Sequence, residues 1–347
     1  SRFHNDEIDE VIMGQVLTAG CGQNPARQAA INSGIPVSKP AYLVNQVCGS
    51  GLRAVISGYQ SIKLGELTNV ISGGQENMSS APHSIFYRHE KKILKEKLLD
   101  TMISDGLIDA FNNYHMGVTA ENVAEKFKIT REKQDIFALD SQTKTQIAIN
   151  ENKFDEEIVP INHNGKIIKR DEHPRINLRL SDLGKLKTVF KKDGTVTAAN
   201  SSSISDGAAA LLISSEERAH ELELPVRATI LGHTVHAHKP GMFTTAPIPA
   251  AKKLLDRIGW SKDEVDLWEV NEAFAVVPMG FMKELNIPRE KINVNGGAWA
   301  LGHPIGASGA RILVTLLNAL EKRNLKKGVA AICLGGGEGL AMAIERP

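Results

Sequence analysis

Cys48 is the residue best placed for covalent chemistry. It sits in Asn45-Gln-Val-Cys-Gly-Ser-Gly-Leu, between an apolar strand pattern (41–45) and a helical pattern that begins at once. A thiol in front of a helix feels the positive end of the helix dipole, which favours the thiolate. The glycines beside it allow a sharp turn and a close approach by substrate. Most cysteines are small buried hydrophobes, but the strand–Cys–Gly-x-Gly–helix setting reverses that expectation. His303 is the best partner base: Asn295-Gly-Gly-Ala-Trp-Ala-Leu-Gly-His-Pro-Ile-Gly-Ala-Ser-Gly is another glycine-rich loop ahead of a helix. A Cys–His pair is a common way to make a thiolate nucleophile.

Cys333 precedes Leu334-Gly-Gly-Gly-Glu-Gly. Three glycines after a strand expose N–H groups that can cradle an oxyanion, and a second thiol there suits proton transfer. No Gly-Lys-Ser/Thr follows, which excludes a Walker loop. Asn271-Glu272 ends a strand pattern with an amide and a carboxylate at one turn. The pair can hold a water or orient a ring nitrogen; Asn271 as the cap of the next helix is an equally good local reading. His236 and His238 share a strand face opposite His233, but no carboxylate or thiol lies nearby in sequence, so no metal is assigned. Cys21 lies in a glycine-rich loop without an elbow and reads as structural.

The elements that must position these groups are duplicated. Ile8-Asp-Glu-Val-Ile resembles Val265-Asp-Leu-Trp-Glu. Each is followed, at nearly the same distance, by a glycine-rich turn and a helix: Cys48-Gly-Ser-Gly-Leu-Arg in one, Gly306-Ala-Ser-Gly-Ala-Arg in the other. Each helix leads to a strand ending in paired glycines, at Gly73-Gly74 and Gly335-Gly336. In this alignment His303 is the counterpart of Cys48, and a pseudo-twofold would bring the two loops together. Leu52, Val55, Ile56, Tyr59 and Ile62 form one helical face, with Gly65 at its stop; Ile312, Leu313, Leu316, Leu317 and Leu320 repeat it.

Short apolar strands alternating with helices predict an α/β protein with a helix-covered parallel or mixed sheet in each half. The predicted domains are 1–78 plus 204–226, an inserted lid over 79–203, and 227–347. Charged helices at 120–126 and 131–150 and sparse apolar runs mark the insert. Asp206-Gly-Ala-Ala-Ala-Leu-Leu-Ile returns as a strand to the first half. The second half has a strand (226–231) and a helix (249–258) ahead of Val265 that the first half lacks before Ile8. A strand and helix are therefore expected to precede Ser1.

Bulk properties bound the function. With 347 residues, 42% hydrophobic and 23% charged, the chain is an ordinary globular one. A net charge of +1 without single-sign runs gives no support to a nucleic-acid surface. No apolar run is long enough for a membrane span. Three cysteines form no disulfide framework and read as a reducing, cytoplasmic setting. Organelles stay open, because a presequence could have been removed.

Taken together, the Cys48 elbow, Asn271-Glu-Ala-Phe, Gly302-His-Pro-Ile-Gly-Ala-Ser-Gly and Cys333-x-Gly-Gly-Gly-x-Gly resemble the thiolase family over essentially the whole chain. The resemblance implies a duplicated fold with two sheets in a five-layer arrangement and a loop domain carrying the coenzyme A groove. Tyr114-His115-Met116-Gly117 resembles the short-chain acetoacetyl-CoA branch. It implies that Cys48 takes an acetyl group as a thioester, with His303 accepting its proton. Cys333 then removes a methyl proton from a second acetyl-CoA. The N–H groups of Cys48 and Gly335 form one oxyanion hole, and His303 with a water held by Asn271 forms the other. Ser202, Arg175, Leu107, His115, Met116, Phe243 and Phe274 match coenzyme A or pocket positions. Asp182 stands where many members have Ser near the adenosine, His173 stands where potassium-activated members have Tyr, which argues against potassium dependence, and Glu338 is an unusual residue in its loop.

The implied activity is reversible condensation of two acetyl-CoA to acetoacetyl-CoA and CoA, without metal or redox cofactor, in a homodimer or homotetramer. Thiolysis of longer 3-ketoacyl-CoA chains and non-catalytic binding of CoA or lipid are the rival readings.

Overall fold

The computed structural model describes residues 3–88 and 98–347. It divides into two compact units: Ser1–Met116 with Ile204–Pro225 and Pro304–Ala310, and Gly117–Ser203 with Val226–His303 and Arg311–Pro347. The stretch 79–203, taken above as one insert, is thus shared between units at Met116/Gly117. Its residues 89–97 lie outside the described residues.

In the first unit β1 (Glu10–Gly14), β2 (Ala41–Val44) and β3 (Asn69–Asn77) run parallel, and β4 (Asp206–Ser214) runs antiparallel to β3. The order is β4-β3-β1-β2. Alternation along β1 decides which helix covers which face. Val11 and Met13 pack with Ala26 and Ala30 of α1 (Pro25–Asn32), whereas Ile12 packs with Ala54 of α2 (Ser50–Lys63). Leu52, Val55 and Ile56, the face read from spacing, are fully buried. The helix stops as expected before Gly65, which takes a left-handed φ of 74°.

The second unit holds the long helices α3 (Gly117–Phe127) and α4 (Arg131–Asn150). Its sheet contains β5 (Thr229–Ala237), β6 (Leu267–Val270), β7 (Lys327–Leu334) and β8 (Glu338–Glu345), in the order β5-β8-β7-β6. β6 and β7 are parallel, while β8 is antiparallel to both β7 and β5. Both sheets are therefore mixed. The returning strands are rich in alanine and glycine, so their main chains approach their neighbours closely: a Cβ on Gly73 of β3 would strike Ala209 of β4. The helices α5 (Pro247–Ile258), α6 (Val276–Leu285) and the one-turn α7 (Ala298–Leu301) lie ahead of α8 (Ile305–Lys322). The first turns of α8 count with the first unit.

The duplication is visible in the strand orders. β1, β3 and β4 correspond to β6, β7 and β8, and β2 corresponds to a single parallel bridge between Trp268 and Ile292. β5 has no counterpart in the first sheet among the described residues. The strand read at 226–231 starts later, at Thr229, and continues through His233 and His236 to Ala237.

Candidate active site

Cys48 occupies the elbow between β2 and α2, buried at 4% exposure. Several bonds build the turn. Asn45 Oδ1 accepts from the Val47 N–H at 3.0 Å, and Ser50 Oγ accepts from the Gln46 N–H at 2.9 Å while donating to the Val47 carbonyl at 2.6 Å. Arg53 Nε donates to Gln46 Oε1 at 2.6 Å. Val47 is thereby held at φ 47°, a left-handed conformation that crowds a β-branched side chain. Gly49 caps α2, and no acidic side chain occupies its first turn to compete for the exposed N–H groups.

The repeat meets itself within the first unit. A Cβ on Gly51 would lie 2.8 Å from Ala310 N and 3.0 Å from Ala307 O, and one on Gly309 would lie 2.8 Å from Leu52 Cβ. The first turns of α2 and α8 therefore pack main chain to main chain through the two glycines that the repeat aligns. Glu76, at the end of β3, fixes the start of α8. Its carboxylate accepts from Gly306 N–H at 2.9 Å and from Val16 and Leu17 N–H at 3.0 and 3.1 Å.

One detail of the alignment changes. The bridge that shapes the Cys48 turn, Gln46 to Cys48, recurs as Val294 to Gly296. Gly296, not His303, stands at the position of Cys48. His303 arrives after an added turn of helix, α7, and a left-handed Gly302.

In the second unit the structure brings Asn271, His303 and the strand of Cys333 together. Asn271 is fully buried; its N–H donates to Ala331 O of β7 at 3.0 Å, two residues before Cys333. Its side-chain amide lies 3.4 Å from His303 Nε2. Asn271 Oδ1 is buried without a hydrogen-bond partner among the described residues, an acceptor left for a bound molecule. The helix α6 is capped by Ala275 rather than by Asn271. Burial, reinforced by the positive charge of Arg311, pushes the His303 imidazole down to about 3, so the ring is neutral at physiological pH. Arg311 itself pairs with Glu269 at 3.3 Å. Burial raises that carboxyl to about 8 despite the ion pair.

Cys333 is fully buried near the end of β7. The glycines after it close the β7–β8 hairpin, with Gly335 buried and Gly336 and Gly337 at φ 91° and 96°. Gly337 O accepts from the His238 N–H at 2.8 Å, and a Cβ on Gly337 would strike the His238 carbonyl. The His236 and His238 rings meet edge to face at 5.2 Å, and His238 Nε2 donates to the Met242 carbonyl at 2.8 Å. These histidines back the hairpin. Cys21 Sγ lies 3.6 Å from the Leu17 carbonyl and from Gln15 Nε2.

The positions matched to coenzyme A or the pocket fall in two groups. In the first unit, a hairpin pairs Ile108 with His115, and the Met116 N–H donates to Leu107 O at 2.9 Å. Burial lowers the His115 pKa. In the second, the Ser202 N–H donates to Ala273 O at 3.0 Å, and Ser201 bridges Phe274. Phe243 is buried, whereas Arg175 is exposed and gives its carbonyl to Gln142 Nε2.

Residues 2–217 match the thiolase N-terminal domain and residues 224–346 the thiolase C-terminal domain. The chain belongs to the thiolase family. It is 50% identical over 346 residues to an acetyl-CoA acetyltransferase of Pseudomonas aeruginosa, covering 98% of this chain and 88% of that protein. It is 48% identical over 347 residues to the cytosolic acetyl-CoA acetyltransferase of Rattus norvegicus, covering 98% and 87%. Among solved structures, the Bacillus anthracis acetyl-CoA acetyltransferase superposes with a TM-score of 0.96 at 41% identity, over 100% of this chain and 89% of that one. The Acat5 thiolase from Ascaris suum in complex with coenzyme A gives 0.93 at 41% identity, over 99% and 89%.

Sequence reasoning missed three residues of this thiolase that the geometry singles out. Phe190 lies against Gly117, where a Cβ would strike its ring, and meets Phe274 edge to face at 6.3 Å. Ser141 and Asn293 bind the Glu272 carboxylate at 2.7 and 2.8 Å. A serine on a polar helix and an aromatic in a charged loop carry no local signal of such roles.

Proposed function

We propose that this thiolase is an acetyl-CoA C-acetyltransferase that condenses two acetyl-CoA to acetoacetyl-CoA and CoA, reversibly. The observation that carries the reading is Asn271: its main chain is bonded to the strand of Cys333 while its side chain reaches a neutral, buried His303. The names of the half-identical relatives support the substrate.

In this reading the Cys48 sulfur attacks the acetyl-CoA carbonyl, its proton passing to His303. A Cys48–carbonyl bond forms, the bond between the acetyl carbonyl and the CoA sulfur breaks, and CoA leaves as a thiol with that proton, which returns His303 to its neutral form. Cys333, its own proton passed to His303, then takes a methyl proton from the second acetyl-CoA. The carbanion attacks acetyl-Cys48, the bond between the acetyl carbonyl and the Cys48 sulfur breaks, and the Cys48 thiolate recovers its proton from His303. A ring as averse to charge as His303 keeps a proton only while a counter-charge exists, which suits a transient acceptor. N–H groups of Cys48 and Gly335 serve the acyl-enzyme oxyanion. His303 and a water on Asn271 Oδ1 serve the thioester oxygen of the second substrate. Two thiols and one imidazole account for every proton, so the scheme requires no metal or redox cofactor.

Ser202, Arg175, Leu107, His115, Met116, Phe243 and Phe274 are read as contacts to coenzyme A and the acyl pocket, within a loop domain acting as a lid. The enzyme is read as a cytoplasmic homodimer or homotetramer of lipid metabolism. No helix among the described residues is long and apolar enough to cross a membrane.

Incubation with labelled acetyl-CoA, followed by peptide mapping, tests the mechanism. Label on Cys48, retained without condensation in Cys333→Ser, is the expected outcome. Its absence from Cys48 overturns the reading. Turnover of acetoacetyl-CoA but not of a long-chain 3-ketoacyl-CoA separates this activity from degradative thiolysis.

A further inference from the structure

We infer that Glu272 is a positioning residue that sets the geometry of Asn271 against His303; the inference rests on the acetyltransferase reading above. Glu272 is 1% exposed and follows Asn271 directly. Its carboxylate collects donors from three separate segments. Ser141 Oγ of α4 donates to Oε2 at 2.7 Å, Asn293 Nδ2 to Oε1 at 2.8 Å, and the Trp299 N–H of α7 to Oε2 at 3.3 Å.

Two of these partners also bond the segments on either side. Ser141 Oγ accepts from the Gly297 N–H at 3.0 Å, and Asn293 binds both backbone groups of Val270, at 2.7 and 2.8 Å. Gly297 has no room for a side chain, since a Cβ would run into the Glu272 carboxylate. The turn bearing Asn271 and the loop leading to His303 are thus locked to one anion.

The chemistry explains why a carboxylate is used. A carboxylate accepts on both oxygens, whereas an amide would turn two N–H donors toward one of the existing donors. Glu272→Gln therefore keeps the volume and forces either Asn293 or the Ser141–Trp299 side to move. A shift of about 1 Å in a catalytic group costs on the order of 10²-fold in rate. The oxyanion hole read for the second acetyl-CoA contains both Asn271 and His303. Its distortion should slow condensation more than acylation of Cys48.

The test compares wild type, Glu272→Gln and Ser141→Ala for melting temperature, acetyl-Cys48 labelling, kcat and KM. Glu272→Gln should label Cys48, hold KM for acetyl-CoA within about twofold, and lose about 100-fold in kcat. Ser141→Ala, which removes one donor and leaves the carboxylate, should fall between the two and keeps the test open if Glu272→Gln does not fold. Wild-type kcat in either folded variant overturns the inference. So does a loss of labelling equal to the loss of kcat, which would mean general damage. Wild type that fails to label Cys48 would instead overturn the acetyltransferase reading.

Discussion

Gly309→Ala asks how tightly the two elbows must pack. The added methyl would lie 2.8 Å from Leu52 Cβ and 3.1 Å from Leu52 Cα, with the Leu52 amide closer still. Carbon atoms at rest sit about 3.5–4.0 Å apart, so the shortfall is about 0.7–1.2 Å. The obstacles are main chain and a first side-chain carbon, and neither can rotate away. Overpacking of this kind costs about 1–3 kcal/mol, while alanine in a helix interior recovers about 1 kcal/mol over glycine. The two effects nearly cancel, so melting should change by only a few degrees. The displacement does not cancel: α2 and the first turn of α8 must separate by roughly 1 Å. Those helices begin two residues after Cys48 and His303. A misplacement of that size is worth on the order of 10²-fold in rate. The assay is kcat for acetoacetyl-CoA turnover beside a thermal melt. Gly184→Ala serves as the control, because a Cβ there meets nothing nearer than 3.7 Å. Wild-type kcat in Gly309→Ala would refute the claim that this contact sets the site.

Asn271→Ala should leave acetyl-Cys48 formation intact and lower condensation about 10²–10³-fold, read by single-turnover labelling against steady-state kcat. Asn293→Ala strands the Val270 N–H and carbonyl and one Glu272 oxygen in the interior. At about 1–3 kcal/mol per orphaned group it should destabilise by several kcal/mol, measured by thermal or chemical melting. Burial disfavours the charge of Glu269 and pushes its carboxyl up to about 8 in the folded protein, from an ordinary 4.5. The folded state therefore holds a proton that the unfolded chain gives up. That stabilisation is complete below about 4.5 and is lost as pH rises toward 8. Glu269→Gln should flatten the fall in melting temperature across that window, and an unchanged slope would remove Glu269 from the account.

Much of this was readable in the sequence because it is local. The 3.6-residue spacing from Leu52 to Ile62 gave α2 its buried face, and Gly-Ser-Gly after Cys48 gave the elbow. The aligned Ser-Gly pairs at Ser50-Gly51 and Ser308-Gly309 marked the repeat whose two helices meet there. What stayed hidden depends on distant partners. Strand direction in β4 and β8 is decided by which neighbour accepts a glycine- and alanine-rich main chain, not by periodicity. Equating His303 with Cys48 failed because α7 adds a turn that similar loop lengths conceal. Ser141 and Asn293 carry meaning only once folding delivers a buried carboxylate to them.

The left-handed Val47 has a consequence for when the nucleophile comes into being. It is the one β-branched residue at positive φ among the described residues, and such a conformation costs on the order of 1–3 kcal/mol. A free segment would relax out of it. The bonds from Asn45 and Ser50 hold it, and they require β2 and the first turn of α2 to be in place together. A partly folded chain thus carries an ordinary, unaimed thiol at position 48. On the acetyltransferase reading, reactivity toward thioesters is acquired only once β2 and the first turn of α2 stand together.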